Sequence, residues 1–206
     1  MSRDRVLRAA VAFADANGIE SLSMRKLARE LGVEAMTLYY YVANKNDLLE
    51  GMMDLVAAEI QLPPDDLDWK TATRRRALTA HDVLARHHWA GMLWMRVMVG
   101  PARIRYMDSA LGVYRRAGLS PETTELAFHS VENHIVGYTI QEANFPLESA
   151  DLAAEARKFL ERLSTDEYPH LAEHILQHLT HEGVGGGDFE FGLQLLLDGI
   201  ERLTET

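Results

Sequence analysis

The stretch SLSMRKLARELGVEAMTLYYYVANKNDLL, residues 21–49, decides how the chain is read. It divides into two short helices and the start of a third. The first covers about Met24 to Leu31, with Ser23 placed as an N-cap whose hydroxyl accepts a bond from a free backbone N–H of the opening turn. Gly32 follows, where the residue past a helix end commonly needs positive φ. After the turn Gly32-Val33-Glu34, a second helix of about two turns carries Ala35 to Val42. This is the spacing of a helix-turn-helix. Neighbours on a helix are rotated by about 100°, so Tyr39, Tyr40 and Tyr41 cannot all face one core. Leu38 and Val42 supply the buried stripe with Leu27, Leu31 and Val33, which leaves Thr37, Tyr40 and Tyr41 toward the open side. A helix showing hydroxyls, rings and few charges suits a groove of DNA better than bulk water.

The whole chain has 206 residues, 47% of them hydrophobic, enough for one good core and a small second module. It contains no cysteine, which excludes disulfides, thiolate catalysis and Cys-rich zinc sites. Arg3, Asp4, Arg5 and Arg8 interrupt the opening, and no apolar run approaches a membrane span, so a cytoplasmic protein is expected. The net charge of −10 is unevenly spread: residues 1–50 carry seven Lys+Arg and seven Asp+Glu, so the acidity lies wholly in the remainder. An acidic body is repelled by phosphates and belongs away from a duplex, while the neutral first segment can turn its basic side chains toward one.

Outward from the opening stretch, residues 3–17 read as an amphipathic helix stopped by Asn17-Gly18. Asn44 reads as the N-cap of a helix from Lys45 to about Ile60, where the Lys45 ammonium and free backbone N–H groups could share a phosphate.

In this order the motif resembles the DNA-binding domain of the TetR-type (tetracycline repressor) family of bacterial transcriptional regulators. The matching residues are Leu27-Ala28, Leu31-Gly32-Val33, Thr37-Leu38-Tyr39, Tyr41-Val42, Asn44-Lys45 and Leu48-Leu49. The resemblance implies an all-α chain in which an N-terminal three-helix helix-turn-helix domain precedes a larger helical ligand-binding and dimerisation domain. Its expected partners are double-stranded operator DNA, a small-molecule effector and a second copy of itself. Thr37, Tyr40 and Tyr41, with Ala35 and Met36, would face bases, and Arg25 is the best candidate for a bidentate guanine contact. Ser23, Tyr39 and Lys45 would hold phosphates.

The acidic, proline-rich break Leu62-Pro63-Pro64-Asp65-Asp66 places the domain boundary, giving 1–61 and 62–206. Beyond it, helices are expected at Trp69 to Arg86, His88 to Val99, Ala102 to Ala117, Pro121 to about Asn144, Ala150 to Leu163, Tyr168 to His181 and Phe189 to Leu203. Arg74-Arg75-Arg76 reads as a solvated face, and Gly183 to Gly187 as a flexible loop. The helix from Pro121 carries two apolar stripes, one with Phe128, Val131, Ile135 and Tyr138, the other with Val136, Ile140 and Ala143. The last helix, with Leu193, Leu195, Leu196, Leu197, Ile200 and Leu203, does the same. Two such helices from each of two subunits would form a four-helix bundle about a two-fold axis, as a pseudo-palindromic operator requires.

For the effector site, Trp89, Trp94, Met95, Met98, Tyr106, Met107, Phe128, Tyr138 and Phe145 are the candidate walls of a mostly apolar cavity, and His87, His129, Asn133, His134 and Gln141 its candidate polar anchors. The C-terminal part also resembles the tetracycline-binding branch, in Trp69 after the proline-rich break, in Val97-Met98-Val99-Gly100 and in Asn133 to Glu142. Where that branch has a metal-coordinating histidine, this chain has Met98, a poor ligand for Mg²⁺. A neutral or hydrophobic effector is therefore expected, with no cofactor and no metal. His170, His174, His178 and His181 recur along one helix face and read as solvated, the alternative being a metal-responsive regulator. The other alternative is a DNA-bound accessory protein with no ligand. No phosphate loop, nucleophile elbow or zincin motif points to an enzyme.

Overall fold

The computed structural model describes residues 1–94, 100–144, 150–180 and 189–204. Among the described residues all regular structure is helical: α1 (Arg3–Asn17), α2 (Met24–Glu30), α3 (Ala35–Leu38), α4 (Lys45–Glu59), α5 (Trp69–Arg86), α6 (Ala90–Trp94), α7 (Pro101–Arg116), α8 (Pro121–Asn144), α9 (Ala150–Arg162), α10 (Pro169–Thr180) and α11 (Phe189–Thr204), with a 3₁₀ turn at Ile19–Ser21. The all-α expectation holds. Met95, Met98, Phe145, His181 and the Gly183 to Gly187 loop lie outside the described residues.

Local chemistry sets the helix ends. Ser23, Asn44 and Asp68 each accept a backbone N–H three residues on, from Lys26, Asp47 and Thr71, and so open α2, α4 and α5. After α2 the amide of Gly32 bonds Arg29 O and that of Val33 bonds Ala28 O, the paired bonds of a Schellman ending, with Gly32 at φ +68°. The second helix of the motif is shorter than expected. After one α turn, Tyr39, Tyr40 and Tyr41 continue through tighter bonds to Met36, Thr37 and Leu38, as three successive aromatic residues are weak helix formers.

Val6, Ala10, Leu27, Leu38, Leu48 and Met52 make the sealed centre of the first domain. In the larger domain α8 lies against α5, α7, α6 and α11. The two domains meet where α4 packs on α7 and where α1 reaches the chain between α5 and α6. Lys70 joins α5 to α11 through Asp198 and Glu201, both at 2.6 Å.

Candidate DNA-binding surface and effector domain

The outer face of α2 and α3 is open. Met36 is 72% exposed and Tyr40 86% exposed, large side chains with nothing of their own chain to cover them. Tyr39 and Arg25 are also exposed, while Ser23, Ala35 and Thr37 are half-buried. Tyr41 departs from its expected place: its side chain is half-buried against the core, because Val42 beside it is sealed and pulls the end of the turn inward. Ser23 spends its hydroxyl on capping Lys26 N at 3.3 Å.

Charge pairing sorts the basic residues. Arg8 pairs with Asp4 and Arg3 with Asp47, whereas Arg5, Arg25, Lys26, Arg29 and Lys45 are exposed and make no ion pair among the described residues. Five cations are thus left on a segment of zero net charge. Arg3 has a structural task. Its guanidinium donates to the carbonyl of Tyr41 at 2.8 Å and to both carboxylate oxygens of Asp47 at 2.6 and 3.0 Å. Asp47 also accepts the Ala43 amide at 2.7 Å, so one ion pair ties α1, the end of the recognition turn and the start of α4. The Arg3 hydrogen bond, more than any other contact, holds the Asp47 carboxyl below its ordinary range.

Two carboxylates of the first domain grip the second. Asp54 Oδ1 accepts the amides of Ala102 at 2.7 Å and Arg103 at 3.2 Å. Asp15 Oδ1 accepts His87 Nδ1 at 2.8 Å and the Trp89 indole N–H at 2.7 Å. Trp89 therefore serves the joint between domains with its polar edge.

The interior of the larger domain differs from the expected apolar cavity with histidine and amide anchors. His129, Asn133 and Gln141 are all exposed, on the outer side of α8. Trp94 is buried, edge-on to Tyr106 and 4.7 Å beneath the Arg103 guanidinium, and Met107 is half-buried against the same core. Tyr138 sits apart with Phe189, which stacks between His81 and His134.

Of the polar groups at the centre, Tyr106 is a candidate from the sequence, while Arg76 and Glu132 are not. Arg76 is 1% exposed, so the basic run at 74–76 is not a wholly solvated face. Its Nη1 donates to Glu132 Oε1 at 2.5 Å and to the Tyr106 hydroxyl, which itself donates to Glu132 Oε1 at 2.7 Å. Burial, aided by Glu132 and opposed by Arg76, pushes the Tyr106 hydroxyl well above its ordinary pKa, so it stays neutral. For Arg76 burial is opposed by Tyr106 and Glu132, and the net direction is upward. The periodicity could have found this pair: Ala72, Thr73, Arg76, Ala77, Ala80 and Val83 share one buried stripe, as do Phe128, Val131, Glu132 and Ile135.

Comparison with known proteins agrees at both ends of the chain. Residues 6–52 match the model of bacterial regulatory proteins of the tetR family, and residues 62–204 match the tetracycline repressor-like C-terminal domain. The chain belongs to the TetR family. It is a helix-turn-helix transcriptional repressor of that family. It is 33% identical to the HTH-type transcriptional repressor DrrR1 of Streptomyces coeruleorubidus over 98% of this chain and 78% of that one. A possible TetR family transcriptional regulator from Streptomyces coelicolor A3(2) superposes with a TM-score of 0.81 at 32% identity, covering 98% of this chain and 100% of the other. The TetR-family protein ActR of Streptomyces coelicolor, solved in complex with actinorhodin, shares the fold with a TM-score of 0.81 at 23% identity over 98% of this chain and 97% of ActR.

Among the described residues no helix is long and apolar enough to cross a membrane, and no group of three or more His, Asp or Glu is placed to hold a metal.

Proposed function

We propose that this TetR-family chain works in the cytoplasm as a homodimer on a pseudo-palindromic operator and lets go when a small molecule enters the larger domain. The division is 1–61 for DNA and 62–206 for effector and partner. The observation that carries the DNA assignment is the exposed outer face of α3, with Met36 and Tyr40 open beside five exposed cations that make no ion pair among the described residues. Arg25, Ala35, Met36, Thr37 and Tyr40 read bases, and Ser23, Tyr39 and Lys45 meet phosphates. Tyr41 keeps a half-buried edge for the same groove.

The dimer reading is supported by α11. Phe191 is 64% exposed, Leu195 58% and Leu203 59%, at intervals of four and eight residues on one face, with Gly199 open between the last two. Leu193, Leu197 and Ile200 on the other face are already sealed in the protomer. The α8 contribution differs from the stripe of Val136, Ile140 and Ala143. Val136 is buried within the protomer and Ile140 packs against Gly91 of α6, so α8 brings instead the outer row of Leu126, Ser130, Asn133 and Gly137. A second copy of the chain covers α8 and α11 as a four-helix bundle.

The effector site is assigned to the region where α5, α6, α7 and α8 pack together, at Trp94, Tyr106, Met107 and Phe128. ActR shares the fold and binds actinorhodin, which supports a fold able to hold a small molecule. Binding there moves the Gly100-Pro101 joint against α4 and alters the spacing of two recognition turns. Half-sites lie about 34–36 Å apart, so a small pivot spoils the joint fit, and a coupling of about 1–3 kcal/mol is typical. Selection of binding sites from genomic DNA, followed by a melting-shift screen and operator release, tests the assignment. A selected operator bound no better than random DNA rejects it.

A further inference from the structure

Three helices end around one imidazole. His87 closes α5, and its ring lies between Asp15 in the last turn of α1 and Glu59 at the end of α4. Nδ1 stands 2.8 Å from Asp15 Oδ1 and Nε2 stands 3.3 Å from Glu59 Oε1, so each ring nitrogen faces a carboxylate of its own. The residue is 7% exposed, which leaves water little access to replace either partner.

A neutral imidazole has one N–H and one lone pair, and only the protonated ring has two donors. The surroundings of His87 therefore match imidazolium. With one proton fewer, one nitrogen turns a lone pair toward a carboxylate oxygen. The charges nearby reinforce the match. A helix C-terminus is a negative pole, and neither α1 nor α4 has a basic residue in its last turn. Asp15 Oδ1 also takes the Trp89 indole N–H at 2.7 Å. Arg86 donates to Glu59 Oε2 at 3.0 Å, Arg8 of α1 acts on Glu59 from farther off, and His88, next in the chain, is exposed. Partial burial opposes the Glu59 charge, but the bonds from Arg86 and His87 outweigh it and hold this carboxyl below its ordinary range.

We propose that His87 is a proton-operated clasp: as imidazolium it ties α1 and α4 to the end of α5, and on losing a proton it frees Glu59 and weakens the hold on operator. The proposal rests on the reading of residues 1–61 as the part that grips DNA. The Asp15 contact is the shorter and keeps the remaining N–H, so the Glu59 contact opens first. A DNA-binding part that swings on its joint must be ordered again to fill both half-sites, which lowers affinity. Because the clasped form holds the proton, affinity falls as pH rises. Histidine is the side chain that ordinarily titrates between about pH 5 and 8, and residues 1–61 contain none, so imidazoles at the DNA face do not contribute in that range.

Two measurements on the full chain test this. Nitrogen-15 NMR should show the His87 ring, assigned by the signals that His87→Gln removes, with protons on both nitrogens at about pH 6 and on one at about pH 8. At constant ionic strength, affinity for the selected operator should fall about tenfold over the same interval. Glu59→Gln should abolish the fall and keep the higher affinity throughout, because its amide N–H donates to neutral Nε2 while its oxygen still accepts from Arg86. His87→Gln should be equally flat, at the lower affinity. Should His87→Gln fail to fold, Glu59→Gln, at a side chain 43% exposed, decides alone and identifies the ring by the signals it shifts. A His87 ring whose protonation is constant over this interval, an affinity indifferent to pH, or a fall that persists unchanged in Glu59→Gln overturns the proposal and leaves the DNA reading standing. Failure to bind any operator at either pH would overturn the DNA reading instead, and the ring protons would then decide the clasp.

Discussion

Asp54 Oδ1 accepts the backbone N–H of Ala102 at 2.7 Å, so a side chain of α4 caps α7. The carboxylate sits at the positive end of α7, where a side chain of its own helix would ordinarily serve. Motion at the start of α7 is therefore motion of α4. Asp54→Ala should cost about 1 kcal/mol of stability and leave operator affinity near wild type while blunting release by effector. Unchanged release in the variant would place the coupling elsewhere.

Gly100 stands beside this cap without room for a side chain. A Cβ there would lie 2.4 Å from Asp54 Cγ and 2.5 Å from its Oδ1. Gly100→Ala should destabilise by about 1–3 kcal/mol in thermal melts, since the cap must be displaced. The double change Gly100→Ala with Asp54→Ala should recover part of that loss, as the clashing group is gone.

Arg3 and Asp47 hold the end of the recognition turn, and electrostatics separates this role from phosphate contact. Asp47→Asn removes a negative charge near DNA, which by itself should tighten binding to any sequence. If the pair positions Tyr39 to Tyr41, the substitution instead weakens the selected operator and leaves random DNA unchanged or slightly tighter. The folded pKa of Asp47 is depressed, so its contribution to stability is present above the ordinary carboxylate value of about 3.9 and is lost as pH falls through the lower folded value. Acid melting curves of wild type and Asp47→Asn should converge at the low end.

Arg25 and Lys45 are both exposed and make no ion pair among the described residues, yet they should respond differently. Arg25→Ala is expected to cost about 1–3 kcal/mol on the selected operator and to relax preference at one base pair. Lys45→Ala should weaken all sequences alike and reduce the salt slope by about one. Binding titrations on selected and random duplexes over a salt series separate the two. Equal loss on both duplexes for Arg25→Ala would make it a phosphate contact.

Legibility followed the kind of signal that each residue carries. Caps and stops are written locally: Ser23, Asn44 and Ser120 each bond the amide three residues on, and Gly32 has the positive φ its place after α2 suggested. The limits of α1, α4 and α5 were readable for the same reason, while the end of α3 was not. Burial of charge was not. Arg76 and Glu132 look solvated by residue type, and only their position on apolar stripes, Ala72 to Val83 and Phe128 to Ile135, marks them as interior. His129, Asn133 and Gln141 misled in the opposite sense: their types suit a pocket, but their places on α8 lie outside its packed stripe. Tyr40 and Tyr41 show the limit of periodicity in a helix of one turn, where the tighter bonds after Leu38 rotate one ring outward and tuck the next against the core.

The exposed row on α11 makes the partner testable. Leu195→Glu puts a charge in the middle of Phe191, Leu195 and Leu203, all open in the protomer, so the fold should survive while self-association is lost. Sedimentation should then give the mass of one chain where the wild type gives two.

The central claim is that a pair of these chains grips one operator and is released by a small molecule. Its most direct measurement is a fluorescence-anisotropy titration of the full chain onto its selected operator over a salt series, repeated with a compound that shifts its melting temperature. The prediction is two chains per pseudo-palindrome, affinity falling steeply with salt, and loss of binding as the compound saturates. One chain per site, or complexes that persist with every such compound bound, would contradict it.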